Sequence, residues 1–269
     1  KLVANNKQTS IDNFAIELPE TSLKMDTIHL VYDSLQAFEH FAEEVHFSFR
    51  TLPSQITLKD ISPFVPVLSH FKEPITLDME VKGTVDQLNC SHLEIVSEEQ
   101  QFRLRGDVSL QDLSHPQDAY VYGTLSELSA NTRGVGFLVR NLNPDYNGVP
   151  PILERLGNIS FRGEISGYFT DLVTYGQLRT SLGDVKTDLK LSADKSKGLF
   201  AYSGAVKTTD FKLGELLANE QLGEITFNLD VHGRHITNQR PTVELKGLIA
   251  SIDYSRSVSY THLRAHETR

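Results

Sequence analysis

From Asn158 onward the chain alternates apolar and polar residues with a period of two. Ile159, Phe161, Ile165 and Phe169 fall on one side, and Ser160, Arg162, Glu164, Ser166 and Tyr168 on the other. That period belongs to a β-strand, whose successive side chains point to opposite faces. Gly163 and Gly167 lie on the apolar side, where glycine permits a bend or a close approach. Just upstream, Pro150 and Pro151 can open a short helix and Gly157 can close it. Proline is tolerated in a first helical turn, and glycine takes the left-handed cap at little cost. Two further strand-like runs follow, at 172–178 and 185–191, joined around Ser181-Leu182-Gly183-Asp184.

The same alternation recurs through most of the chain. Strands are expected at 14–18, 27–32, 45–50, 75–81, 92–96, 102–110, 119–125, 200–206, 224–232 and 242–249. Residues 34–44 read as a short helix or a polar connection, 58–68 as a short helical insert, and 213–217 as a helical turn. Residues 193–198 read as a polar hairpin turn. The stretch 131–149 is richer in Gly, Asn and Pro; it reads as a loop or broken edge strand and as the place where residues 1–254 could subdivide. Glycine recurs inside strand-like units at Gly83, Gly106, Gly163, Gly176 and Gly247. The uneven gaps suggest a meander of similar hairpins and not a strict solenoid repeat.

Few helices are expected, so about a dozen half-apolar strands must find cover elsewhere. Apolar area is worth roughly 25 cal/mol per Å² when removed from water. The sheet can pack on a second sheet, close into a barrel, or curl into a trough around apolar ligands. Trp is absent and no aromatic girdle is evident at the strand ends, which disfavours a membrane-spanning barrel. No apolar run approaches the roughly 20 residues of a membrane-spanning helix. The chain starts at Lys1 and enters strand-like sequence by Ile11, and reads as an internal fragment. Residues 255–269 break the alternation and resemble translated sequencing-adapter read-through, a non-native tail to be set aside in fold reasoning.

Charge and chemistry narrow the function. The net charge of −9 speaks against nucleic acid as a partner, since such domains carry a basic stripe. Cys90 is the only cysteine, so no internal disulfide forms. Ser, His and Asp are scattered without a nucleophile elbow, and no catalytic residue, metal site or cofactor is expected. Cys90 with His92 makes at most half a zinc site, and His232-Gly233-Arg234-His235 lacks acidic or Cys companions and reads as solvated turn histidines. His262 and His266 lie in the tail. Arg105-Gly106-Asp107 matches an adhesion tripeptide but falls inside an expected strand. Asn89-Cys90-Ser91 and Asn158-Ile159-Ser160 fit a glycosylation pattern.

Several stretches carry a family likeness. They are Leu156-Gly157-Asn158-Ile159-Ser160-Phe161-Arg162-Gly163, Thr174-Tyr175-Gly176-Gln177-Leu178-Arg179-Thr180-Ser181-Leu182-Gly183, Tyr202-Ser203-Gly204, Phe211-Lys212-Leu213-Gly214-Glu215-Leu216-Leu217 and Leu222-Gly223-Glu224-Ile225. Together with Ile56-Thr57-Leu58-Lys59-Asp60-Ile61-Ser62-Pro63-Phe64 and Val81-Lys82-Gly83-Thr84-Val85, they resemble TamB-like proteins of the AsmA superfamily. The resemblance implies a mostly β fold, a long curled antiparallel β-sheet trough with a few short helices. It implies a periplasmic segment of a bridge anchored in the inner membrane through a segment outside this chain. It further implies phospholipid acyl chains as cargo between inner and outer membrane, or a part in outer-membrane assembly with a barrel partner contacted elsewhere. The alternative is a chaperone-like β-scaffold that presents sheet edges to outer-membrane protein strands. On this reading the groove is lined by Ile75, Leu77, Met79, Val81, Phe102, Leu104, Val108, Leu110, Ile159, Phe161, Ile165, Leu189, Leu191, Ile225, Phe227, Leu229, Val231, Val243 and Leu245.

Overall fold

The computed structural model describes residues 1–61, 71–115, 118–142, 149, 151–194, 198–236 and 242–254, with the backbone of 257–259 and 263–265. The helical insert expected beyond residue 61, the tip of the turn at 195–197, and His262 and His266 lie outside the described residues. The chain is mostly β and antiparallel, with a few short helices. None of the described helices is long and apolar enough to cross a membrane. The chain divides into two compact units, Lys1–Val149 and Pro150–Arg269.

In the first unit the strands are β1 (Leu2–Ala4), β2 (Gln8–Glu17), β3 (Ser22–Val31), β4 (His46–Thr51), β5 (Ser54–Thr57), β6 (Pro74–Gly83), β7 (Gln87–Ser97), β8 (Phe102–Gln111) and β9 (Tyr120–Ala130). They pair antiparallel in a meander. β4 and β5 share one place between β3 and β6, interrupted at Leu52 and Pro53. Proline has no N–H to give a ladder. The gap is closed by the Lys24 amide, which donates to Ser54 Oγ at 2.9 Å, and by the Leu52 amide, which donates to the Lys24 carbonyl at 2.9 Å. In β7 the register slips between Cys90 and Leu93, with His92 at φ 52°. This bulge keeps Cys90 and Leu93 on the same face, opposite Val108 and Gly106.

Helical pieces hold the two ends of this unit. A 3-10 turn, Leu35–His40, runs into α1 (Phe41–Glu44) and packs Ala37 with Tyr32 and Val45. At the other end α2 (Thr132–Leu142) replaces the loop or edge strand expected for the start of 131–149. The Gly134 amide donates to Asn131 Oδ1, and the Val135 amide to the Asn131 carbonyl, each at 2.9 Å. Asn131 is thus an N-cap. Val135 and Phe137 are buried, and the Phe137 ring lies 6.0 Å from Phe71 and 5.9 Å from Phe102. Glycine-rich composition lowers helix propensity, so packing and not propensity makes this helix.

The second unit starts with α3 (Pro151–Arg155). Gly157 ends it at φ +68°, its amide donating to the Glu154 carbonyl at 3.1 Å. Then come β10 (Ile159–Tyr168), β11 (Asp171–Thr180), β12 (Gly183–Asp194), β13 (Leu199–Lys212), α4 (Leu213–Leu217), β14 (Leu222–Ile236) and β15 (Thr242–Tyr254), again an antiparallel meander. Two short strands of the last residues, β16 (Ser257–Ser259) and β17 (Leu263–Ala265), pair antiparallel with β15. The core of this unit sits at one end of the sheet. Leu182, Phe211 and Ile225 are buried there, packed against Leu156, Leu213 and Leu216.

Candidate functional site

Residues directly opposite in an antiparallel ladder share a face, so the register sorts the second unit's side chains. One row runs Phe161, Leu178, Val185, Thr208, Phe227, Ile249. The next but one runs Ile165, Thr174, Leu189, Gly204, Val231, Leu245. Between them lie Gly163, Gly176, Thr187, Val206, Leu229 and Gly247. Six adjacent strands therefore present one continuous apolar face. The opposite face carries Arg162, Glu164, Lys186, Asp188, Lys190 and Asp230. There Lys190 Nζ meets Asp171 at 2.9 Å, and hydrogen bonds from Lys190 and then Ser192 hold the Asp171 carboxyl below its ordinary range.

The structure brings the expected lining residues together within each unit. Ile159, Phe161, Ile165, Leu189, Leu191, Ile225, Phe227, Leu229, Val231, Val243 and Leu245 all lie on this apolar face. In the first unit Ile75, Leu77, Met79 and Val81 of β6 share a face with Phe102, Leu104, Val108 and Leu110 of β8. Their burial differs. Ile75, Leu77, Val81, Phe102, Ile225 and Leu229 are buried, so they belong to the packed parts. Phe161, Ile165, Leu189, Leu191, Phe227 and Val231 are half-buried, while Val243 and Leu245 are 47% and 39% exposed.

Alternation alone also marks Phe47, Phe49, Leu172, Leu178, Val185, Val206 and Ile249, but only the register shows that they join these faces. The Phe47 and Phe49 rings stack 6.1 Å apart. Tyr202 joins the second unit's face too, opposite Leu191 and Gly233. Two rings lie where glycine side chains would be: Phe161 over Gly163 and Gly176, and Tyr202 over Gly233. The wall is thereby smoothed at both places. A ring fills each gap left by the missing side chains.

The other chemical candidates come apart. Cys90 Sγ points to Met79 Sδ at 3.7 Å, and burial pushes its thiol up to about 11. His92 is exposed beside Glu80 on the other side of the sheet, so the pair forms no half-site. His232 and His235 are strand residues of β14, not turn residues, and their positions in the register put them on opposite faces. Arg105 of the Arg-Gly-Asp tripeptide is bound to Glu94 at 2.7 Å and lies 3.5 Å from Glu127. Among the described residues no group of three His, Cys, Asp or Glu could hold a metal ion.

The chain matches no protein-family model, no curated protein and no solved structure. What the site offers rests on its own geometry. It is a strand-built apolar surface several residues wide, half open to solvent, backed by a charged face and closed at one end by Leu156, α4 and the cluster around Leu182.

Proposed function

We propose that the second unit's apolar face carries acyl chains, as a periplasmic segment of a TamB-like bridge that moves phospholipids between the inner and outer membranes. The observation that carries this reading is the contrast between the two ends of one face. Around Leu182 the face is packed shut, with Phe227 drawn into that cluster, yet along Phe161, Leu189, Val231 and Leu245 it stays half open. Each acyl CH₂ kept out of water is worth about 0.8 kcal/mol. A continuous apolar wall therefore lowers the cost of moving a lipid tail without any catalytic residue.

The test is photo-crosslinking in a diderm bacterial host. Crosslinkers at Phe161, Leu189 and Val231 are expected to label phospholipid, with Arg162 and Asn228 on the charged face as controls. Leu77 makes a poor probe position because it is buried. Equal lipid labelling on both faces would sink the proposal. One observation supports the second reading, a β-scaffold that presents an edge to other strands: two short strands of the very residues that read as a non-native tail pair along the side of β15 away from β14. Peptide crosslinks at β15 with no lipid on the apolar face would favour it.

A further inference from the structure

We infer that Tyr202 reads the ester carbonyl of a diacyl lipid at the border of this face. The inference rests on the acyl-chain reading and adds a polar contact to it. Tyr202 occupies β13 directly opposite Gly233, and its ring fills the space a side chain on Gly233 would take. The ring is therefore laid down on the sheet and held beside Leu191 in the same row. Its hydroxyl has no hydrogen-bond partner among the described residues, although the residue is half-buried.

The other hydroxyls on this face are placed differently. Thr208 Oγ1 donates to the Asp184 carbonyl at 2.6 Å, Thr180 Oγ1 to the Gly183 carbonyl at 2.9 Å, and Thr187 Oγ1 to the Gly176 carbonyl at 3.5 Å. Thr174 stands in the row of Ile165 and Leu189, one row further inside the apolar wall than Tyr202 and Leu191. Tyr202 alone among these five puts a donor at the end of a long apolar body, which suits a boundary between wet and dry.

Its place in the fold matches that chemistry. Beyond Tyr202 the row pattern ends in Phe200, which is 46% exposed, and His235, which is exposed. On the other side of Tyr202 the face continues as Gly204 and Val206 of β13 toward Phe227 and Val185. A diacyl lipid has the same order: hydrocarbon, ester, then a hydrated headgroup. With chains along the wall and headgroup past Phe200 and His235, the ester carbonyl comes to the Tyr202 hydroxyl, which donates to it.

The test compares three fluorescent or labelled probes on the full chain. They are a pyrene-labelled diester phosphatidylcholine, its dialkyl ether counterpart, and diphenylhexatriene, which has no polar atom. One net hydrogen bond is worth about 0.5–1.5 kcal/mol, or roughly two- to tenfold in affinity. The wild type is expected to bind the diester more tightly than the diether by that factor. Tyr202→Phe keeps the ring and is expected to bring the diester down to the diether, with diphenylhexatriene unchanged. A diester preference that survives Tyr202→Phe, or is missing from the wild type, overturns the inference and leaves the acyl-chain reading standing. Failure of all three probes to bind overturns both.

Discussion

The Phe161 ring occupies the room that a side chain on Gly176 would need: a Cβ there would stand 2.5 Å from Cζ and 2.7 Å from Cε2. Gly163 lies directly opposite Gly176 across the ladder, and a Cβ on it would stand 2.8 Å from the same Cζ. Glycine inside a strand weakens it when taken alone. Here the ring recovers part of the lost packing and needs both glycines to do so.

Gly176→Val therefore tests local packing against intrinsic preference. Valine is the better strand former, yet overpacking at this site is expected to cost roughly 1–3 kcal/mol. The urea midpoint should fall. Phe161→Ala added to Gly176→Val should recover part of the loss but not all, because the Arg162 carbonyl also crowds that position. The two changes would then be coupled in a double-mutant cycle. A midpoint equal to that of the wild type would refute the close approach.

The two ends of the apolar face should differ in energy. Leu182 is 4% exposed and packs with Phe211 and Ile225, so Leu182→Ala is expected to cost about 2–5 kcal/mol. Val243 is 47% exposed on the same face, and Val243→Ala should cost less than about 1 kcal/mol. Both are read from denaturant unfolding. Similar costs at the two sites would mean that the open part of the face is covered in solution, which contradicts its half-open character.

Much of this was legible in the sequence because one period carried it. The alternation at Ile159, Phe161 and Ile165 gave the strand, and the Gly157 cap gave the end of α3. The meander needed only the polar turns between runs. The α2 helix was not legible: Gly134 and Gly136 look like loop residues, and the Asn131 cap acts together with the burial of Phe137 against distant Phe71 and Phe102. The split between wall and core was hidden for the same reason. Leu77 and Leu189 alternate alike, yet the first is buried and the second half open, a difference set by tertiary packing that the period does not carry. Tyr202 carried a signal too, since it falls in phase with Gly204 and Val206, but its pairing with Gly233 depends on the β13–β14 register.

Burial raises the Cys90 thiol from 9.0 to about 11. A thiol whose folded value lies above its unfolded one favours the neutral form in the fold. Its contribution is complete below about pH 9, where both states are protonated, and is lost as pH rises toward 11. Stability measured by urea unfolding should fall with pH across that window, and Cys90→Ala should flatten that part of the fall. At pH 8 the thiol should also react with iodoacetamide far more slowly in the folded protein than in urea, because the thiolate is the reactive form. Equal rates would show that Cys90 is not held beside Met79.

Charge pairs on the opposite face act in the other direction. Lys190 lies 2.9 Å from Asp171, and Ser192 Oγ donates to Asp171 Oδ1 at 2.6 Å. Both hold the Asp171 carboxyl below its ordinary value, the Lys190 hydrogen bond most strongly. A lowered carboxylate stabilises the fold above its unfolded value and ceases to do so as pH falls through its folded one. The pair is exposed and screened by salt, so its share of stability is small. NMR titration is the sensitive readout. Lys190→Gln should move Asp171 up toward its ordinary value, and Ser192→Ala should move it less. If Ser192→Ala moves Asp171 more than Lys190→Gln does, the hydroxyl and not the ammonium sets this carboxylate, and the ion pair on the charged face is not held in solution.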